Sequence, residues 1–188
     1  MPTKQDIAST ILELESLWDR FVTVRAAFPK ARESDLGKGH IESKRWYRSQ
    51  GKHLRLVFQE PIDEPTIETI NACGYWVNQS FVVWLGSILQ DKLRVGSKPD
   101  ESLPGHEHVD LAIRLCNRIA HDVGLYDPSL PVAKVAFDDI QRLYVPPEPD
   151  TDKYNLHIDA VLDVMFKGVL TYARAMAERE DSSNLSKS

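Results

Sequence analysis

The chain is predicted to be all-α, an antiparallel helical bundle of four to five main helices, on three observations. Long segments repeat apolar residues every three or four positions, and stretches rich in Pro, Gly and Ser separate them. Composition supplies the third. With 42% hydrophobic and 27% charged residues, the 188-residue chain has enough apolar side chain to bury a core and is not the composition of a disordered protein. One domain is expected over residues 1–180, with a disordered C-terminal tail at 181–188, where DSSNLSKS has nothing to bury.

The first helix is expected from about Thr3 to Phe28. Ile7, Ile11, Leu14, Trp18, Phe21 and Arg25 recur at helical spacing, Thr3 with Asp6 forms an N-terminal cap, and Pro29 stops the run. Residues 33–60 are ambiguous: Glu42–Gln50 reads as a short helix broken at Gly51, and His53–Phe58 as helix or strand. Behind Pro61 and Pro65 comes the longest helix, with one stripe of Ile67, Ile70, Cys73, Val77, Phe81, Trp84 and Ile88. A second stripe of Val82, Leu85 and Leu89 marks it as central. Arg94–Glu107 is loop material. His108–Asp122 reads as a further helix closed by Gly124, and Ala133–Val145 as strand or helix. The run PPEPD at 146–150 is a stiff linker before a last helix from about Asp152 to Glu180, whose stripe holds Ile158, Val161, Leu162, Met165, Val169, Tyr172 and Met176. An α+β fold survives only through residues 53–58 and 133–145. Trp18, Trp84 and Met165 are assigned to the core.

A net charge of −5 argues against a protein coated in positive potential, although a local basic site is compatible with it. Cys73 and Cys116 both fall inside apolar helical patterns, so free buried thiols in a reducing compartment are expected. No signal-peptide pattern opens the sequence, and its longest apolar stretch, Phe81–Leu85, is too short for a bilayer. A cytoplasmic protein with no membrane partner is the expectation. No P-loop, dinucleotide fingerprint, nucleophile elbow or zincin motif is present, which removes several large enzyme classes.

The helix HVDLAIRLCNRIAHD is the segment with chemical content. At about 100° per residue, Asp110, Arg114, Asn117, Arg118 and His121 share one arc about 100° wide, and Arg114 and His121 lie roughly 10 Å apart along the axis. Ala112, Ile113, Cys116, Ile119, Ala120 and Val123 take the other side. An ordinary polar face accounts for this arrangement: Asp110 and Arg114 are spaced as an i,i+4 ion pair, and His and Arg in a last turn complement the helix dipole.

The run Arg114-Leu115-Cys116-Asn117-Arg118-Ile119-Ala120-His121-Asp122 also resembles the signature of HEPN domains, in which an Arg precedes a His by four to six intervening residues, often with Asn just after the Arg. The match covers about nine residues, and the helical pattern agrees with the small bundle that family adopts. One departure stands out. The commonest form has Arg immediately before the Asn, and here that position is Cys116. What the resemblance implies is a metal-independent endoribonuclease, with no cofactor, acting as a homodimer and leaving a 2′,3′-cyclic phosphate and a 5′-hydroxyl. His121 would exchange the 2′-hydroxyl proton, Arg114 would stabilise charge on the phosphate, and Asn117 and Arg118 would position it. A role as a toxin, in defence or in RNA processing follows by the same resemblance, with an antitoxin or other protein as partner. The alternative is a non-catalytic helical module, binding protein or RNA through the same arc.

Between Lys38 and Arg55 six basic residues stand against the single acid Glu42, with Trp46 and Tyr47 interleaved. Lys44, Arg45 and Arg48 are therefore candidate contacts to a nucleic-acid backbone, although a solvated basic helix with Trp46 and Tyr47 facing the core explains the same pattern. His106 and His108 lack a third ligand at suitable spacing, so no metal site is assigned, and His40, His53 and His157 receive no role.

Overall fold

The computed structural model describes residues 2–47, 52–121, 126–146, 153–154 and 156–185, with side chains other than those of 44–47, 52, 53 and 181–185. The fold is mostly helical, at 68%. Among the described residues there are five α-helices: α1 (Lys4–Ala27), α2 (Glu64–Asp91), α3 (His106–His121), α4 (Pro131–Tyr144) and α5 (Asp163–Leu185). One antiparallel two-stranded sheet joins β1 (His40–Tyr47) to β2 (Lys52–Val57). The expectation of an all-α chain is thus corrected by one small hairpin. Among the described residues no helix is long and apolar enough to cross a membrane.

The chain divides into two compact units, Leu17–Phe81 and Met1–Ser16 with Val82–Ser188, the division falling within α1 and within α2. In the Leu17–Phe81 unit, Phe21 stacks on Phe81 at 4.4 Å and Trp18 meets Phe81 edge-on at 5.4 Å, geometries that aromatic quadrupoles favour. Helix α1 ends where Pro29 removes the next donor, and Arg25 Nη1 donates to the Phe28 carbonyl at 2.6 Å.

The hairpin overturns the helical reading of 42–47 and decides 53–57 in favour of strand; residues 48–51 lie outside those described. Its cause is a two-residue period. Ile41 and Ser43 are buried while Glu42 between them is exposed, and Ile41 joins Ala31, Ile62 and Ile70 in a cluster against which Leu56, Phe58 and Ile67 pack. Ile41 pairs with Leu56 and Glu42 with Arg55, whose guanidinium donates to the Glu42 carboxylate at 2.5 Å; the register shifts between Glu42 and Trp46. Asn71 of α2 fixes the chain entering this region, accepting from the Ala31 N–H at 2.9 Å and donating to its carbonyl at 3.1 Å.

In the other unit, the N-terminus of α1 carries the expected reciprocal cap. The Thr3 N–H donates to Asp6 Oδ2 at 2.9 Å and the Asp6 N–H donates to Thr3 Oγ1 at 3.2 Å. Val82, Leu85 and Leu89 of α2 are fully buried, as their stripe predicts. Trp84 is not: it is 63% exposed, and Trp76, about two turns before it, is 67% exposed. The core assignment of Trp84 is therefore wrong. At about 100° per residue, turning Val82 and Leu85 inward points Trp84 away from both.

Helix α3 starts two residues earlier than its periodicity suggests, at His106. Residues 131–144 are helix, not strand, with Ala133, Ala136, Ile140 and Tyr144 buried at spacings of three and four. A left-handed residue, Val145 (φ 45°), ends α4. The last helix begins later than expected, with a π-helical turn at Ile158–Leu162 leading into α5, which runs to Leu185. Residues 147–152, holding most of the expected linker, lie outside those described. Close approach of α3 to α2 depends on Gly86, where any Cβ would overlap that of Cys116. Gly105, at φ +84°, allows the turn into α3 to sit against the backbone at Gly168 of α5.

Candidate functional site

Helix α3 is amphipathic with a sharp boundary: Ala112, Ile113, Leu115, Cys116 and Ile119 are buried, while Asn117, Ala120 and His121 are exposed and Arg118 is half-buried. Ala120 thus belongs to the wetted side, and Val123 and Asp122 lie outside the described residues. The arc drawn from the sequence is real as a surface: Asp110, Arg114, Asn117, Arg118 and His121 all retain solvent access.

Within that arc Arg114 is already engaged. Its Nε donates to Asp110 Oδ2 at 2.9 Å, and its Nη2 donates to Asp139 Oδ2 of α4 at 2.8 Å. Asp139 also accepts from Nε and Nη2 of Arg142, at 3.1 and 3.0 Å, and Arg142 reaches Glu107 Oε1 at 3.4 Å. A chain of alternating charge, Asp110, Arg114, Asp139, Arg142 and Glu107, therefore runs from α3 to α4 and back. Burial pushes the Asp139 carboxyl up, but the hydrogen bonds from Arg114 and Arg142 outweigh it and hold the group below the usual carboxylate range. Arg114 is a third exposed and Asp139 a fifth, so these pairs are partly shielded from solvent screening.

The Asp110–Arg114 pair is the i,i+4 contact its spacing predicts. Asp139 is the residue that sequence reasoning missed. A signal existed, since Asp139 and Arg142 are three apart, but it becomes visible only once residues 131–144 are read as helix.

At the other end of the arc, Asn117 and His121 stand one turn apart on the last turns of α3, with Arg118 beside them. Cys116, the residue where the motif's commonest form has Arg, is 6% exposed, and its Sγ lies 3.6 Å from the Val83 carbonyl; burial pushes its thiol up. Both cysteines are free, with Cys73 half-buried.

Lys44 and Arg45 lie in β1 in place of the expected helix, and Arg48 lies outside the described residues. His106 and His108 occupy the first turn of α3: His106 Nδ1 is 3.1 Å from the Leu103 carbonyl and His108 Nδ1 is 2.9 Å from the Tyr144 hydroxyl. Among the described residues, no three His, Cys, Asp or Glu side chains are grouped so as to hold a metal ion.

No protein-family model matches the chain, and neither does any curated protein or any solved structure.

Proposed function

We propose that this protein is a metal-independent endoribonuclease of the HEPN type, cytoplasmic and acting as a homodimer, with the wetted arc of α3 as its active face. The single observation that carries the reading is the exposure of His121 and Asn117 on one side of the last turns of α3, with Arg118 beside them. An imidazole can take the proton from an RNA 2′-hydroxyl and return one to the leaving 5′-oxygen. A guanidinium within reach of the same phosphate stabilises the charge that builds on its oxygens. Phosphate would have to displace Asp110 and Asp139 from Arg114, and Arg118 lies on the same arc. Arg114 then serves to fix α3 on α4, and a homodimer would supply the second imidazole. Lys44, Arg45 and Arg48 would hold the RNA backbone, which predicts weaker and less salt-dependent binding when all three are neutralised. A toxin paired with an antitoxin, or an RNA-processing factor, fits this activity.

A second reading has its own observation. The commitment of Arg114 to two carboxylates suits a stabilised helix face that binds a partner without catalysis. The two separate on one assay: labelled RNA incubated with purified protein in EDTA, wild type against His121→Ala. The nuclease reading expects products ending in 2′,3′-cyclic phosphate from the wild type, and none from the variant. Equal cleavage by both proteins, or cleavage by neither, would leave the binding module.

A further inference from the structure

We infer that His108 is an acid-sensitive clasp, an imidazole wedged where α3, α4 and α5 meet, whose protonation loosens the start of α3 from its two neighbours. This device goes beyond the proposed nuclease and does not depend on it.

The geometry is specific. The His108 ring stacks on that of Tyr144 at 5.6 Å between centroids and 27° between planes, and its Nδ1 stands 2.9 Å from the Tyr144 hydroxyl. On its other side the ring lies so close to α5 that a Cβ at Gly168 would overlap it, with the His108 Cβ at 2.8 Å. The turn ahead is equally tight, since Gly105 rests on the Gly168 carbonyl. The imidazole thus fills a slot in which only glycine is tolerated opposite it.

Two features of that slot favour the neutral ring. Half-burial removes water that would solvate an imidazolium. His108 is the third residue of α3, where the positive end of the helix dipole repels a cation. The Tyr144 hydroxyl, kept protonated by burial and then by Glu107, can donate to a bare Nδ1 or accept from an Nδ1–H, so this contact serves either form of the ring. On α3 the neighbouring ionisable groups are Glu107, whose charge works in favour of protonation, and His106, whose charge works against it. Glu107 is itself shared with Arg142 of α4. On α5 the contact is Gly168 itself: Lys167 turns to Asp163 at 2.6 Å, and the Tyr172 hydroxyl accepts from the Asp100 N–H at 3.0 Å. The net effect holds the His108 imidazole below its ordinary value, burial being the largest cause.

The sign follows. As pH falls through the ordinary histidine range, the unfolded or loosened state takes the proton first, so the clasp is fully closed above that range and weakens below it. The consequence reaches the arc, because α3 carries Asn117, Arg118 and His121 at its far end.

The test is backbone hydrogen exchange, corrected for intrinsic rate, at about pH 8 and about pH 5.5. Protection of the first turns of α3 and the last turn of α4 is expected to fall several-fold on acidification in the wild type, and to be independent of pH in His108→Gln. If that variant does not fold, His108→Asn takes its place, with the same expectation of protection that is independent of pH. In parallel, the His108 resonance should titrate at lower pH in the folded protein than in the urea-unfolded chain. Equal midpoints in the two states, or a pH dependence that persists in His108→Gln, would overturn the inference.

Discussion

Restoring the commonest form of the motif, by Cys116→Arg, should destabilise the protein rather than activate it. Cys116 is 6% exposed, and the Cβ that Gly86 lacks would already overlap its Cβ and stand 2.7 Å from its Sγ. An arginine there must push α2 from α3 or bury its charge. Overpacking a closed core site costs about 1–3 kcal/mol, and leaving a buried charge without a partner costs about 3–5 kcal/mol. Together these approach or exceed half of the roughly 5–15 kcal/mol by which a domain is ordinarily stable. With a urea dependence of about 1–3 kcal/mol per molar, the unfolding midpoint should drop by about 2 M or more, followed by far-UV circular dichroism. Cys116→Ala, which removes only the sulfur and its weak contact to the Val83 carbonyl, should cost about 1 kcal/mol. An arginine variant as stable as the alanine variant would show that the side chain escapes to solvent along its aliphatic stem, and the α2–α3 contact would then not be the sealed interface argued above.

Further outcomes follow from the same contacts. Asp139→Asn keeps the shape but removes the charge that accepts from Arg114 and Arg142, and should cost about 1.5–3 kcal/mol at neutral pH in a thermal or urea melt. Because the folded Asp139 carboxyl lies below its ordinary value, that stabilisation is complete above the unfolded value and is lost as pH falls through the folded one. The gap between wild type and Asp139→Asn should therefore close in strong acid, and a gap unchanged there would exclude the ion-pair account. Trp84→Ala should shift stability by no more than about 0.5 kcal/mol, whereas Leu85→Ala, one residue on and fully buried, should cost about 2–5 kcal/mol. Gly168→Ala gains about 1 kcal/mol of helix propensity, yet should still be destabilising in a urea melt because its methyl meets the His108 ring.

The long helices were legible because each buries one continuous stripe. Ile7, Leu14 and Phe21 on α1, and Val82, Leu85 and Leu89 on α2, announce their period without reference to any other segment. The hairpin was not, for a physical reason. Residues 42–50 are dominated by Lys, Arg, Glu and Gln, side chains that lose little rotamer freedom in a helix, and the strand period shows only in Ile41 and Ser43, one of them polar. What holds β1 in place is Ile41 meeting Ala31, Ile62 and Ile70, residues well separated from it along the chain. Helix α4 misled in the opposite direction, since the β-branched Val132 and Val135 that suggest a strand both face outward, while the helical spacing is carried by Ala133, Ala136, Ile140 and Tyr144. The exposure of Trp84 was equally out of reach, because the neighbouring members of its own stripe, Phe81 and Ile88, are both buried.

For the candidate site the legible part is whatever one helix fixes by itself. Spacing alone put Asp110 on Arg114, and spacing alone put Asn117 and His121 on one wetted side of α3. Spacing could not say that Arg114 has a second carboxylate, because Asp139 lies 25 residues away on another helix. That partner changes the chemistry assigned to the motif. A guanidinium holding two carboxylates, each hydrogen-bonded at under 3 Å, has its charge more than offset, and a phosphate diester brings one further negative charge where two are already seated. Phosphate arriving at Arg114 would therefore meet a site already occupied, and Arg114→Ala should act on the fold before it acts on any RNA cleavage. That variant should lower stability, as measured by urea unfolding, more than it lowers turnover per folded molecule. A reversal of that pattern would mean that the carboxylates release Arg114 when RNA binds, and the ion-pair chain between α3 and α4 would have to be understood as a latch on the active face.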